Sequence, residues 1–218
     1  THAFFKALLF LGAGSVIHGF SNEQDMRKMG GCFKKLPVTY ILIWRGSLAL
    51  AGIPFFAGYY SKDMILEVAF ASDSQVGYFA FICGCLAAVL TAFYSWRLIY
   101  LTFHGDFKGN KSTYDKIHES PLVMLLPLFI LAFGAVFSGW FFKEMFIGVN
   151  WDYFWSNSIF ILTGNDAIYK AQSVPKWVKL LPIVLAIIVI SIATVFYVLI
   201  TDLPSRVSKA FRVLYTLF

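Results

Sequence analysis

Gly52-Ile53-Pro54-Phe55-Phe56-Ala57-Gly58-Tyr59-Tyr60-Ser61-Lys62-Asp63 interrupts an apolar segment that runs from about Pro37 to Ala69. A helix needs only about 20 residues to cross the hydrocarbon core of a bilayer, so this segment is too long for one ordinary span. Gly and Pro together break a helix, and two ionisable side chains follow at once, bringing irregular backbone and charge to the same depth. Such backbone is tolerated in a membrane only where it is buried in protein or lines a wet cavity, and transporters place broken helices at their ion sites for that reason. The same residues also fit a helix start at the membrane edge, with Ser61 as the cap and Asp63 and Glu67 complementing the helix dipole. Length speaks against the edge: the roughly 16 residues before the break are too few to cross about 30 Å at 1.5 Å per residue.

The surrounding chain has the composition of a polytopic membrane protein. Of its 218 residues 59% are hydrophobic and 14% charged, with a mean hydropathy of +0.71, which excludes disorder and a soluble catalytic domain. Five apolar segments, about 1–20, 37–69, 77–103, 120–142 and 178–200, predict an all-α transmembrane bundle of about five spans, the second one broken. The formal charge of +6 follows from topology. If the segments alternate, Arg27, Lys28, Lys34, Lys35, Lys108, Lys111, Lys116, Arg206, Lys209 and Arg212 share one side, and only Lys143, Lys170, Lys176 and Lys179 fall on the other. That bias places 21–36, 104–119 and 201–218 in the cytoplasm or matrix and calls for no nucleic-acid partner. Cys32, Cys83 and Cys85 form no metal or disulfide pattern. The chain opens inside an apolar segment with neither an initiator Met nor a signal peptide, as expected of a fragment or of the middle of a longer protein.

In the first segment His2 and Lys6 stand at i, i+4 on one helical face. A charge at mid-membrane costs about 2.5–3.5 kcal/mol on insertion scales, so Lys6 either lies near a helix end and snorkels to water or is a buried proton-relay lysine with His2 beside it. The loop Ser21 to Leu36 reads as a solvated connector with a Gly30-Gly31 turn. Arg45 must snorkel, pair with an acid or face a partner protein, and Arg97 snorkels towards the basic side. Ser120-Pro121 reads as a cap with proline at the first helical position of the fourth segment, where Pro127 predicts a kink. The aromatic stretch between Lys143 and Lys176 reads as an interfacial belt. No phosphate loop, nucleophile triad, dinucleotide fingerprint or zinc signature is present.

Several blocks carry a resemblance. Thr1-His2-Ala3-Phe4-Phe5-Lys6-Ala7-Leu8-Leu9-Phe10-Leu11, Gln24 to Gly31, Gly46 to Pro54, Ala57-Gly58, Ser61-Lys62-Asp63 and His118-Glu119-Ser120-Pro121 resemble the largest antiporter-like membrane subunit of respiratory complex I, chain 5 in mitochondria and subunit L in bacteria. The resemblance is densest over the first hundred residues. It implies two inverted five-helix repeats, each with a broken helix, with residues 1–104 supplying the last three helices of the second repeat and 105–218 two further membrane helices and the start of a connector. It also implies that Lys62 and Lys6 are buried relay lysines, His2 the relay histidine and Asp63 the acid beside the broken-helix lysine.

On that reading the chain is a proton-translocating segment of NADH-quinone oxidoreductase in an inner membrane, bacterial or mitochondrial. It holds no cofactor of its own, since NADH, FMN, Fe-S clusters and quinone belong to other subunits; its partners are the other membrane-arm subunits, the lipid bilayer and protons. Two departures stand out: the family usually has Pro-Pro where this chain has Pro54-Phe55, and an aliphatic residue where Arg45 stands. The first repeat and the long lateral helix of the family do not occur in the sequence. Two alternatives fit the same residues. One is a subunit of a multi-subunit cation/proton antiporter or membrane-bound hydrogenase complex; the other is a gene fragment that transports nothing.

Overall fold

The computed structural model describes residues 1–160 and 167–212. The described residues form helices α1 (His2–Gly19), α2 (Pro37–Ala51), α3 (Ala57–Ala71), α4 (Gln75–Phe103), α5 (Lys111–Lys116), α6 (Leu122–Phe146), α7 (Trp151–Trp155), α8 (Ala167–Gln172), α9 (Lys176–Thr194) and α10 (Leu203–Ala210). The five expected spans are present. Four are uninterrupted: α1, α4, α6, and α9 with the π turn that carries it to Leu199. The fifth is the broken pair α2 and α3, of 15 residues each. At 1.5 Å per residue α2 reaches only about 22 Å, short of the roughly 30 Å hydrocarbon core, so the break lies within the membrane. Of each long span only 22–39% is buried inside the chain. Outward Phe10, Ile82, Leu90, Ile130 and Phe133 would be an aggregation hazard in water and are suited to lipid.

Two of the loops that their charge assigns to one side are brought together in space. Gly31 N–H donates to the His104 carbonyl at 3.1 Å and Phe33 N–H to that of Phe103 at 3.3 Å, so the loop after α1 and the loop after α4 lie against one another on the basic face. Ser21–Leu36 is more than a connector. Met29, Cys32 and Leu36 are buried in one cluster with Val16, Phe20, Ile99, Phe103 and Ile117, and burial raises the Cys32 thiol to about 11, keeping it protonated. Loop composition does not show this, because three spaced apolar residues become a plug only when α1 and α4 end beside them. A second cluster joins Phe5 and Leu8 of α1 to Leu42 and Ala49 of α2 and Leu125 and Leu128 of α6. A third joins Ala51, Trp96 and Ala186, tying α2 to α4 and α9.

A buried polar network sets the start of α2. The Glu119 carboxylate accepts from Val38 N–H at 2.8 Å and Thr39 N–H at 3.3 Å and from the Thr39 hydroxyl. Thr39 and Ser120 in turn meet the Ser15 hydroxyl at 2.8 and 2.7 Å. The α2 sequence offers no side-chain cap of its own; a carboxylate 80 residues away meets the unpaired N–H groups and the positive end of the dipole. This use of Ser120 corrects its expected role as the cap of α6, whose first helical residue is Leu122 with Pro121 at the cap position. Replacing Glu119 with Ala should destabilise the protein by about 1–2 kcal/mol, the usual worth of an N-terminal cap. Glu119→Gln, which keeps an acceptor, should lose less, as read by thermal unfolding of the full-length protein.

Candidate functional site

The break is closed at its first end by backbone alone. Gly52 takes φ +78°, a left-handed conformation that glycine adopts without the cost a Cβ brings. Its N–H donates to the Ala49 carbonyl at 3.2 Å, and Ile53 N–H donates to that of Leu48 at 3.1 Å, the bond pair of a Schellman motif. Two of the four terminal carbonyls of α2 are thereby used. The other two, Leu50 and Ala51, each accept from the Lys62 ammonium at 3.4 Å. Lys62, on the second turn of α3, thus reaches back across the break and places a positive charge on the negative end of α2.

Asp63 is 4% exposed, and neither carboxylate oxygen has a hydrogen-bond partner among the described residues. A buried acid left so is expensive and marks a site of ion or proton chemistry more often than of packing. Gly52 brings the two charges to one spot: a Cβ there would lie 3.5 Å from Asp63 Oδ1 and 3.6 Å from Lys62 Cδ. Asp63 also lines a cavity of about 340 Å³ with Glu67, Tyr59, Lys143, Glu144 and Lys179. Lys143, on the last turn of α6, and Lys179, on the first turns of α9, belong to the side opposite the basic loops. The acids therefore open towards that sparsely charged side.

Lys6 sits apart from this pair. It is half-buried, its ammonium 5.6 Å from the Phe10 ring centroid, and it lines a second cavity of about 260 Å³ with Ser47, Leu50, Tyr94 and Ser95. Leu50 belongs to both places, lining the Lys6 cavity while its carbonyl holds Lys62. His2 is exposed and edge-on to Phe5 at 5.0 Å, outside the lining of either cavity. Ser61 is not the cap of the second half-helix. Phe56 holds that position in extended backbone, and Ser61 lies inside α3, accepting from the Thr1 hydroxyl at 2.7 Å. The helix starts five residues earlier because Gly58 lets α3 approach the α2 backbone: a Cβ there would overlap the Ala49 carbonyl. Sequence reading missed Lys143 and Lys179 as neighbours of the acids; their signal was that they are two of only four basic residues on that side. Among the described residues no cluster of three potential metal ligands occurs.

Residues 1–91 match the family described as NADH:quinone oxidoreductase/Mrp antiporter, transmembrane region, and residues 94–154 match the C-terminus of NADH dehydrogenase subunit 5. NADH-ubiquinone oxidoreductase chain 5 of Phytophthora infestans is 50% identical over 185 residues, covering 85% of this chain and 28% of the relative. The chain 5 proteins of Chondrus crispus, at 47% over 88% of this chain and 30% of the relative, and of Acanthamoeba castellanii, at 44% over 98% and 32%, are similar. The chain belongs to the NADH dehydrogenase subunit 5 family. It spans about 30% of the length of these curated relatives.

Against the subunit 5 pattern, both departures have a structural form. Phe55 takes φ +75° and is 81% exposed, a backbone angle closed to the proline that the family usually carries there. Arg45 points out of the bundle, with no acid beside it among the described residues, so of its three expected roles pairing with an acid of this chain is not realised. The two glycines of the break carry a graded expectation. Gly52→Ala should cost about 1 kcal/mol, from backbone strain alone. Gly58→Ala, which drives a methyl into a carbonyl, should cost about 1–3 kcal/mol and shift α3. Equal costs in thermal unfolding of the full-length protein would contradict this account of the break.

Proposed function

We propose that this chain is the proton-handling part of a complex I membrane-arm subunit, in which Lys62 passes a proton between the bundle interior and the side opposite the basic loops. One observation carries the proposal. Lys62 is held on the free carbonyl end of a half-helix inside the membrane, beside a buried acid that has no hydrogen-bond partner among the described residues and lines a cavity leading outward. An ammonium there is favoured by the α2 dipole and disfavoured by its apolar surroundings. Such opposed terms suit a group that must both load and release a proton. Asp63 and Glu67, one turn apart on α3, continue the polar path along the cavity wall.

Lys6 and its cavity supply the inner side of the path. They adjoin the Lys62 site through Leu50, which lines the Lys6 cavity and whose carbonyl accepts from Lys62. His2 stands upstream of Lys6 on the same face of α1. In the assembled protein further helices of the subunit complete the path, and other subunits carry the NADH, flavin, iron–sulfur and quinone chemistry. An antiporter subunit shares the first matched family description; the second match and the names of the relatives support the respiratory reading.

The test is made in the full-length subunit within the assembled complex, reconstituted in vesicles. Lys62→Ala should lower proton translocation per NADH oxidised several-fold, Lys62→Arg should keep the contact to the α2 carbonyls without restoring translocation, and Lys6→Ala should also depress it. Normal coupled pumping in both alanine variants would overturn the proposal.

A further inference from the structure

The basic face carries a further cavity, which shares Tyr94 with the Lys6 cavity but holds none of the proposed relay residues. α9 ends in a π turn, Val195–Leu199, closed by Ile200 N–H on the Val195 carbonyl at 2.8 Å, and α10 follows, packed on that turn and facing α4 across a gap. Between them is a space of about 1020 Å³ lined by Phe93 and Arg97 of α4, Phe196 and Tyr197 of the π turn, and Ser208 and Phe211 of the α10 region. Phe93 stacks its edge on Phe196 at 6.1 Å and lies 6.0 Å from Tyr197, so the wall is aromatic and continuous.

Arg97 is the one charged residue in that lining. It stands six residues before the last residue of α4, about 9 Å from the helix end, at the depth of lipid headgroups. It is half-buried and has neither an ionic nor a hydrogen-bond partner among the described residues. A guanidinium among apolar walls calls for an anion, and its planar fork fits two phosphate oxygens. The remainder of the surroundings agrees. α10 is amphipathic, with Arg206 and Lys209 exposed on the same short helix that supplies Ser205 and Ser208 to the lining, and basic pockets between helices on this side of a membrane suit anionic headgroups. A free phosphate would leave the aromatic wall uncovered; a phospholipid covers it with acyl chain.

We infer that the Arg97 cavity is a binding site for one anionic phospholipid, its phosphodiester on the Arg97 guanidinium and its chains along Phe93, Phe196 and Tyr197. This inference does not rest on the proposed proton path. Its test uses the full-length protein in the assembled complex, held in phosphatidylcholine nanodiscs with a phosphatidylglycerol that carries a photoactivatable diazirine in one chain. Irradiation should leave adducts on peptides containing Phe93 to Arg97 and Phe196 to Ser208. Unlabelled phosphatidylglycerol should compete at about one-tenth the concentration needed by phosphatidylcholine, whose choline cation is repelled by Arg97 and the basic residues of α10, and inorganic phosphate should not compete. Arg97→Gln should lower labelling about tenfold and Arg97→Lys should keep part of it.

Equal competition by phosphatidylcholine would reduce the cavity to ordinary boundary lipid and overturn the inference. Competition by inorganic phosphate would overturn the lipid assignment, and unchanged labelling in an assembled Arg97→Gln complex would overturn the role of Arg97. Should Arg97→Gln fail to assemble, the competition on the unsubstituted protein decides.

Discussion

The arrangement depends on the ammonium of Lys62 lying on the Leu50 and Ala51 carbonyls. A helix that stops inside a bilayer leaves four carbonyls without water to satisfy them, and each would cost several kcal/mol. Here the backbone turn at Gly52 uses two, and Lys62 uses the other two. At the opposite end of α2, Glu119 meets the free N–H groups. The half-helix is thus held between a carboxylate at its positive end and an ammonium at its negative end, neither of them its own. Everything around the break follows from this: α3 can start at once because Gly58 allows contact with Ala49, and Asp63 is buried because Lys62 anchors the turn it stands on.

The same constraint separates the two faces of the molecule. On the basic face Met29, Cys32 and Leu36 plug the space between α1 and α4, while the opposite face opens through the cavity at Glu67, Lys143 and Lys179. An outward path for the acids and a closed packing beneath the basic loops are what directional movement of a proton calls for. On the basic face itself, His104 shows how tightly the loops are fitted. Its ring meets the Tyr40 hydroxyl at 2.9 Å, and burial lowers its pKa below the usual 6.5. Above pH 6.5 this residue is neutral folded or unfolded and adds no pH dependence. As pH falls below 6.5 the unfolded chain protonates first, so the loop packing weakens with acid.

Much of this was legible in the sequence. The length of the apolar run, with Gly52 and Pro54 in its middle, was enough to place a broken helix, and the distribution of lysine and arginine was enough to pair the loops on one side. Long-range partners were not legible. That Glu119 would cap α2, or that Ser61 would sit inside α3 and touch Thr1, follows from how helices pack and has no local pattern. Ser61-Lys62-Asp63 looks like a helix start because serine and acids favour that position; the close approach of Gly58 to Ala49 moved the start to Ala57. The acids were visible as charges beside a break, but their cavity was not, since Lys143 and Lys179 come from helices far along the chain.

The claim that decides the account is that the acids beside the break face only the side opposite the basic loops. Sided thiol labelling measures it directly. In the full-length assembled protein, with Cys32, Cys83 and Cys85 replaced, E67C is treated with a membrane-impermeant maleimide from one face at a time. The account predicts modification from the face bearing Lys143 and Lys179 and none from the face bearing Lys28 and Lys35. Modification from the basic face would contradict it.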